Sequence, residues 1–245
     1  MLRRPGHDWP LLLAANRDEL KDRPWQAPGR HWPDRAEVTA GRDILADGTW
    51  LGINDWGVIA GVLNRPGSLG PKANKRSRGE LPMEALDHAE ASVAAEKLCA
   101  IDTSSYRSFN LVIADWAQAY WLTSQGGTTP VRAMPIPEGL SMITAFDLND
   151  HTSPRIHYYK PKFEAASPPD VEIGDWTAWQ MLMGDRRDNY WIEENGSMTI
   201  VSDKGIKTVS SSLLALPAKG RTNAKPQWLF APGRPDKTTY KAVEI

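Results

Sequence analysis

The run Leu11-Leu12-Leu13-Ala14-Ala15-Asn16-Arg17-Asp18-Glu19 constrains this chain more than any other stretch. Five apolar residues lead directly into an amide, a guanidinium and two carboxylates. A short apolar run of this kind reads as a strand buried on both faces. Polar groups at the end of such a strand need partners or a ligand, because an unpaired buried charge costs several kcal/mol or neutralises itself. If the strand continues through Arg17 and Asp18, the two side chains alternate in direction, so one faces a pocket and the other the opposite layer. Two readings stay open: a ligand-facing constellation, or structural ion pairs at the sheet edge.

The 245 residues suffice for one large domain or two small ones. The 29 basic and 30 acidic side chains nearly cancel, which gives no footprint for nucleic acid or an anionic membrane. No apolar segment approaches the ~20 residues that span a bilayer, and residues 11–15 are too short for the core of a signal peptide. The single cysteine, Cys99, excludes an intrachain disulfide and points to a reducing, cytoplasmic setting, where the sequon Asn195-Gly196-Ser197 would go unused. His7, His31, His88, His151 and His157 lack metal-site spacing, so neither metal nor cofactor is expected. Glycine patterns for nucleotides and the GxSxG elbow are missing too. Ser210-Ser211-Ser212 reads as a polar strand end, and Cys99, late in an Ala-rich helix, as an inert thiol. The eleven tryptophans read as core and groove-lining residues, with some available to stack on a flat ligand.

Local signals outline the elements. Pro5-Gly6-His7-Asp8 is a turn into the Leu11–Asn16 strand, and residues 20–42 read as an irregular loop. Gly48–Asn54 and Gly57–Asn64 form a hairpin about Asp55-Trp56-Gly57. After a basic loop, Arg65–Gly79, the pattern predicts one helix over Pro82–Ala100, with Glu80 and Glu84 at its start. Phe109–Ala114 and Ala119–Leu122 pair as strands, Met142–Ala145 is a further strand, and Ser153–Phe163 and Trp176–Met183 are helices. Strands return at Met198–Val201, Val209–Leu216 and Trp228–Phe230, with turns at Asp203-Lys204-Gly205 and Pro232-Gly233. Strands, then helices, then strands indicate an α+β layered sandwich rather than βαβ units.

The basic loop carries Lys72, Lys75, Arg76 and Arg78 just ahead of a helix start. Exposed backbone N–H groups and the helix dipole there would favour a carboxylate or phosphate, with Arg78 best placed. A solvated, merely charged loop is the alternative.

With Asn16-Arg17-Asp18-Glu19 in view, further motifs fall in a familiar order: Gly48-Thr49-Trp50-Leu51-Gly52-Ile53, Leu63-Asn64-Arg65, Ser77-Arg78-Gly79-Glu80-Leu81 and Phe109-Asn110-Leu111-Val112. Over about its first half, to Asp115, the chain resembles the NRDE family, also called the transport and Golgi organisation family. That family resembles amino-terminal-nucleophile hydrolases, which implies a four-layer αββα sandwich and a single domain over residues 1–245. Members usually begin Met-Cys, the Cys heading the first strand as nucleophile with its own amine as base. The resemblance to penicillin and bile-salt amidases implies that Arg17 and Asp18 flank such a nucleophile, with Asn16 as a third catalytic candidate. Glu19, Asn64, Arg78 and Asn110 are the ligand-binding candidates.

Residue 2 here is Leu, and Leu2-Arg3-Arg4 reads as the last three residues of a strand, so the sequence is expected to start at an internal point with its first arm missing. Lys207 is a loose substitute for the arginine-bearing strand of related amidases. Two functions follow: a hydrolase cleaving a carbon–nitrogen amide bond, inactive as the chain stands, or a non-catalytic carrier of an amphipathic anion. Haem and acyl-CoA are the ligands the resemblance implies, because eukaryotic members are associated with haem trafficking, acyl-CoA homeostasis and secretory-pathway organisation.

Overall fold

The computed structural model describes residues 1–186, 196–202 and 205–245. Asn195 of the sequon and Asp203-Lys204 of an expected turn lie outside the described residues. The strands, in chain order, are β1 (Leu2–Arg3), β2 (Leu11–Leu20), β3 (Trp25–Gly29), β4 (Val38–Asp43), β5 (Leu51–Asn54), β6 (Ile59–Asn64), β7 (Phe109–Ala114), β8 (Ala119–Ser124), β9 (Arg132–Pro135), β10 (Gly139–Leu140), β11 (Ile206–Leu216), β12 (Gln227–Ala231) and β13 (Lys241–Ala242). The helices are α1 (Glu80–Leu86), α2 (Ala91–Cys99), α3 (Pro154–Ala165) and α4 (Thr177–Met183).

These elements divide into two compact units. The first contains an antiparallel sheet in the order β10-β1-β2-β11-β12-β13, with α3 and α4 packed against it. Its core gathers Leu12, Tyr159, Phe163, Trp176, Trp179 and Leu213. Strand β2 is longer than its apolar run: it continues through the polar motif to Leu20, paired with β11 from Leu216↔Leu11 to Ile206↔Leu20. On its other edge β1 pairs Leu11 and Leu12. Ser153 caps α3, its hydroxyl accepting from the Ile156 N–H, and Pro154 follows at the first turn.

The second unit is an antiparallel sheet in the order β3-β4-β5-β6-β7-β8-β9, with α1 and α2 over it. Val38, Ala40, Ala60, Leu81, Leu86, Ala94, Leu98, Leu111 and Leu122 fill the space between. The hairpin at Asp55-Trp56-Gly57 forms as expected, with Gly57 at φ +84°. Gly52 is needed for the close approach of α1: a Cβ there would lie 2.7 Å from both Leu86 Cδ1 and Ala40 Cβ. Two antiparallel sheets, each carrying a helical pair, make the chain α+β, the composition an αββα sandwich requires.

Several elements differ from the sequence reading. Residues 20–42 hold β3, a short 3-10 turn at Pro33–Arg35 and β4 rather than a plain loop, because β4 finds its pairing in β5 through Val38↔Asn54 and Ala40↔Gly52. The helix expected over Pro82–Ala100 is two helices. The Asn54 side-chain amide takes the Leu86 and His88 carbonyls at 2.8 and 2.7 Å, ending α1, and the Asp115 carboxylate accepts from the Ala91 N–H at 2.9 Å, starting α2 afresh. Residues 142–145 and 198–201 are not strands. The Thr144 carbonyl is held by the Asn110 side chain, and Ile200 bonds to Thr208. Strands β9, β10 and β13 are short edge segments without a sequence signal.

Candidate functional site

The polar motif splits across β2. Asn16 and Asp18 lie on the face covered by α3 and α4. Asn16 donates through its amide nitrogen to the carbonyls of Met183 (3.0 Å) and Met198 (2.8 Å), tying the end of α4 and a later loop to the strand. Asp18 accepts from Arg155 Nη1 in the first turn of α3 at 3.0 Å and from the Thr208 hydroxyl of β11 at 2.6 Å. Arg17 and Glu19 point to the other face. Arg17 is buried, and its Nη2 lies 3.6 Å from the Glu19 carboxylate, which also meets Arg23 at 3.8 Å.

A bulge in β11 sits opposite this division. Thr208 pairs with Asp18, but Ser210 pairs with Arg17, so Val209 is the extra residue. The shift lets Thr208 serve the helical face while the next paired residue, Ser210, serves the face of Arg17. Ser212, opposite Ala15, and Lys207, opposite Glu19, share that second face. One side of β2 is therefore an internal tie, and the other carries a buried guanidinium, a carboxylate and the buried hydroxyls of Ser210 and Ser212. Arg155, Thr208 and Ser210 carried no usable sequence signal as partners; Asp18 and Arg155 are 137 positions apart.

In the second unit the candidates gather around the end of β6. Asn110, fully buried on β7, donates to the carbonyls of Thr144 (2.9 Å) and Phe146 (2.7 Å) and accepts from Arg65 Nη1 (2.7 Å) and the Trp121 indole (3.1 Å). Arg78 donates to the Ser68 hydroxyl at 2.6 Å and the Ser108 carbonyl at 2.9 Å. Ser68 in turn bonds both the N–H and the carbonyl of Arg65. Arg76 pairs with Glu80 and Glu84, and Arg107 donates to the carbonyls of Gly67, Leu69 and Gly70. The basic loop thus uses several of its cations to shape itself. Asn64 closes β6 opposite Phe109, on the side of the sheet that holds Val58 and Ala60 against the helices. Among the described residues no cluster of three or more His, Cys, Asp or Glu could hold a metal ion, and no helix is long and apolar enough to cross a membrane.

The fold of this chain matches an arginine-to-leucine variant of conjugated bile acid hydrolase from Clostridium perfringens, with a TM-score of 0.52 at 13% identity over 96% of this chain and 93% of that one. Penicillin V acylase from Agrobacterium tumefaciens is also similar, at a TM-score of 0.44 and 12% identity over 90% and 78%. The bile acid hydrolase likeness shows the fold alone, that of the amino-terminal-nucleophile hydrolases. The sequence profile described as Transport and Golgi organisation 2 matches residues 1–170, and the chain belongs to that family. The transport and Golgi organization protein 2 homologs of Bos taurus and Homo sapiens are 35% and 33% identical to it over 141 residues, 54% of this chain. The matched stretch spans about half the length of each of these relatives (50%).

Proposed function

We propose that this chain frames an amide-cleaving hydrolase in which Arg17 faces the reacting groups, Glu19 orients it, and Asp18 and Asn16 hold its strand in place. The observation that supports this reading is the division of β2: Asp18 is committed to Arg155 and Thr208, while Arg17 lies buried on the opposite face beside Ser210 and Ser212. A thiol next to such a guanidinium is more easily ionised, and the same cation favours the oxyanion that forms when the thiolate adds to an amide carbonyl. The sulfur–carbon bond forms, the amine base takes the thiol proton and passes it to the departing nitrogen, and water then cleaves the thioester to release the acid and restore the thiol. In this reading the nucleophile is the cysteine of a first strand beginning Met-Cys, as the family resemblance implies.

The test compares the chain as it stands with one extended ahead of Leu2 by such a strand, measuring amine release from a panel of N-acyl amino acids. Only the extended form should turn over. Replacing its cysteine with Ala should abolish the activity, and Arg17→Met should lower it about 10²–10³-fold with unchanged circular dichroism. Equal activity in the unextended chain sinks the reading. Failure of both forms, combined with tight binding of haem or acyl-CoA, would instead establish the carrier.

A further inference from the structure

We infer that Lys207 sets the ligand specificity of the Arg17 face: it receives a carboxylate carried close to the amide, so that N-acyl amino acids are taken in preference to neutral amides. This deepens the proposed function, on which it rests for the placing of the ligand against Arg17. All the groups involved lie in the first unit. In the pairing of β2 with β11, Lys207 stands directly opposite Glu19, two residues along the strand from Arg17. Alternate residues of a strand share a face, and so do directly paired ones, so Arg17, Glu19 and Lys207 point to one side. Strand rise and pairing distance put the backbone positions of Arg17 and Lys207 about 8 Å apart. In an N-acyl amino acid the carbonyl and the carboxylate are separated by a few bonds, so one molecule can meet both cations.

The ion pairs on this face leave the lysine over. Opposite charges directly across a strand pair attract, and Glu19 is the carboxylate across from Lys207. Glu19 nevertheless turns elsewhere. Its Oε2 lies 3.6 Å from Arg17 Nη2 and 3.8 Å from Arg23 Nε, while Oε1 accepts from the Leu20 N–H at 2.8 Å. The Lys207 ammonium has neither an ion pair nor a hydrogen bond among the described residues. Lys160 of the same unit shows the contrast, since Glu164, one turn further along α3, meets it. The lysines that merely keep the surface charged, such as Lys225, Lys237 and Lys241, are exposed, whereas Lys207 is half-buried. Partial burial strengthens its pull on an anion and still leaves it reachable from solvent. Its N–H groups can meet a carboxylate without displacing a partner. Glu19 does not repel that carboxylate outright, because Arg17 and Arg23 already meet its charge.

The probes are N-hexanoylglycine and its neutral counterpart N-hexanoylglycinamide, titrated by calorimetry into the chain as it stands, so that binding is read without turnover. The parent should hold the acid about tenfold more tightly than the amide, the contribution of one charge-assisted contact. Lys207→Gln should bring that ratio close to one, and Lys207→Arg should keep most of it, because the cation is retained. Lys241→Gln, an equal loss of charge at an exposed position of β13, should leave the ratio as in the parent. A ratio near one in the parent overturns the inference and needs no variant to fold. So does a preference that survives Lys207→Gln, or one that falls equally in Lys241→Gln. The hydrolase reading fails on a different result, the absence of amine release from the extended chain. A lysine-dependent preference for the acid alongside that absence supports the role of Lys207 and counts against hydrolysis alone.

Discussion

Replacing Asp18 with Asn keeps the shape of the side chain and removes the charge that Arg155 meets at 3.0 Å. The Thr208 hydroxyl, 2.6 Å from the other oxygen, can still find an acceptor. The loss therefore falls on the ion pair. Breaking a fully buried pair costs about 3–5 kcal/mol, mostly because one charge is left stranded. Here the side chains are 19% and 17% exposed, so water relieves part of that penalty and about 2–3 kcal/mol is expected. Arg155 is poorly placed to recover, since its Nε is buried without a hydrogen-bond partner among the described residues. Arg155→Met should cost a similar amount, and the double variant little more than either single one, giving a coupling of about 1.5–2.5 kcal/mol. Equilibrium urea unfolding of the parent and three variants measures all four corners. Additive losses, within about 0.5 kcal/mol, would refute the argument that Asp18 is bound to α3 as a unit.

Asn110→Ala should be among the most damaging single changes in the second unit. It strands two carbonyls, the Trp121 indole and part of the Arg65 guanidinium, at a cost of about 3–5 kcal/mol, and amide exchange over residues 143–148 should accelerate. An intact exchange pattern there would remove Asn110 as the anchor. Asp236 gives a pH test. Hydrogen bonds from Arg234, with the charge of Arg186 behind them, hold its carboxyl below the ordinary range. A depressed folded value means stability that is present above about pH 4 and lost as pH falls through that value. Asp236→Asn should therefore lower the melting temperature at pH 7, and the gap should close in acid; a gap independent of pH counts against it.

Much of the frame was readable along the chain because it depends on neighbours in sequence. The Leu11–Ala15 run, the Gly57 turn, the Ser153-Pro154 helix start and the Phe109–Ala114 strand each carry their own local signal, and the motif order pointed to the family. What the sequence could not show is where side chains distant along the chain meet. The alternation of a strand says that Arg17 and Asp18 must part, but only the pairing with Arg155 and Thr208, far away in sequence, decides which face is the tie. The bulge at Val209 exists because β2 and β11 are paired, and neither strand alone encodes it. Likewise the continuous helical pattern after Pro82 is cut by the amide of Asn54, a residue on another strand. Local propensity and periodicity are properties of a few adjacent residues. Hydrogen bonds between groups brought together by folding can override them, because a buried carbonyl or carboxylate must be satisfied wherever its partner comes from.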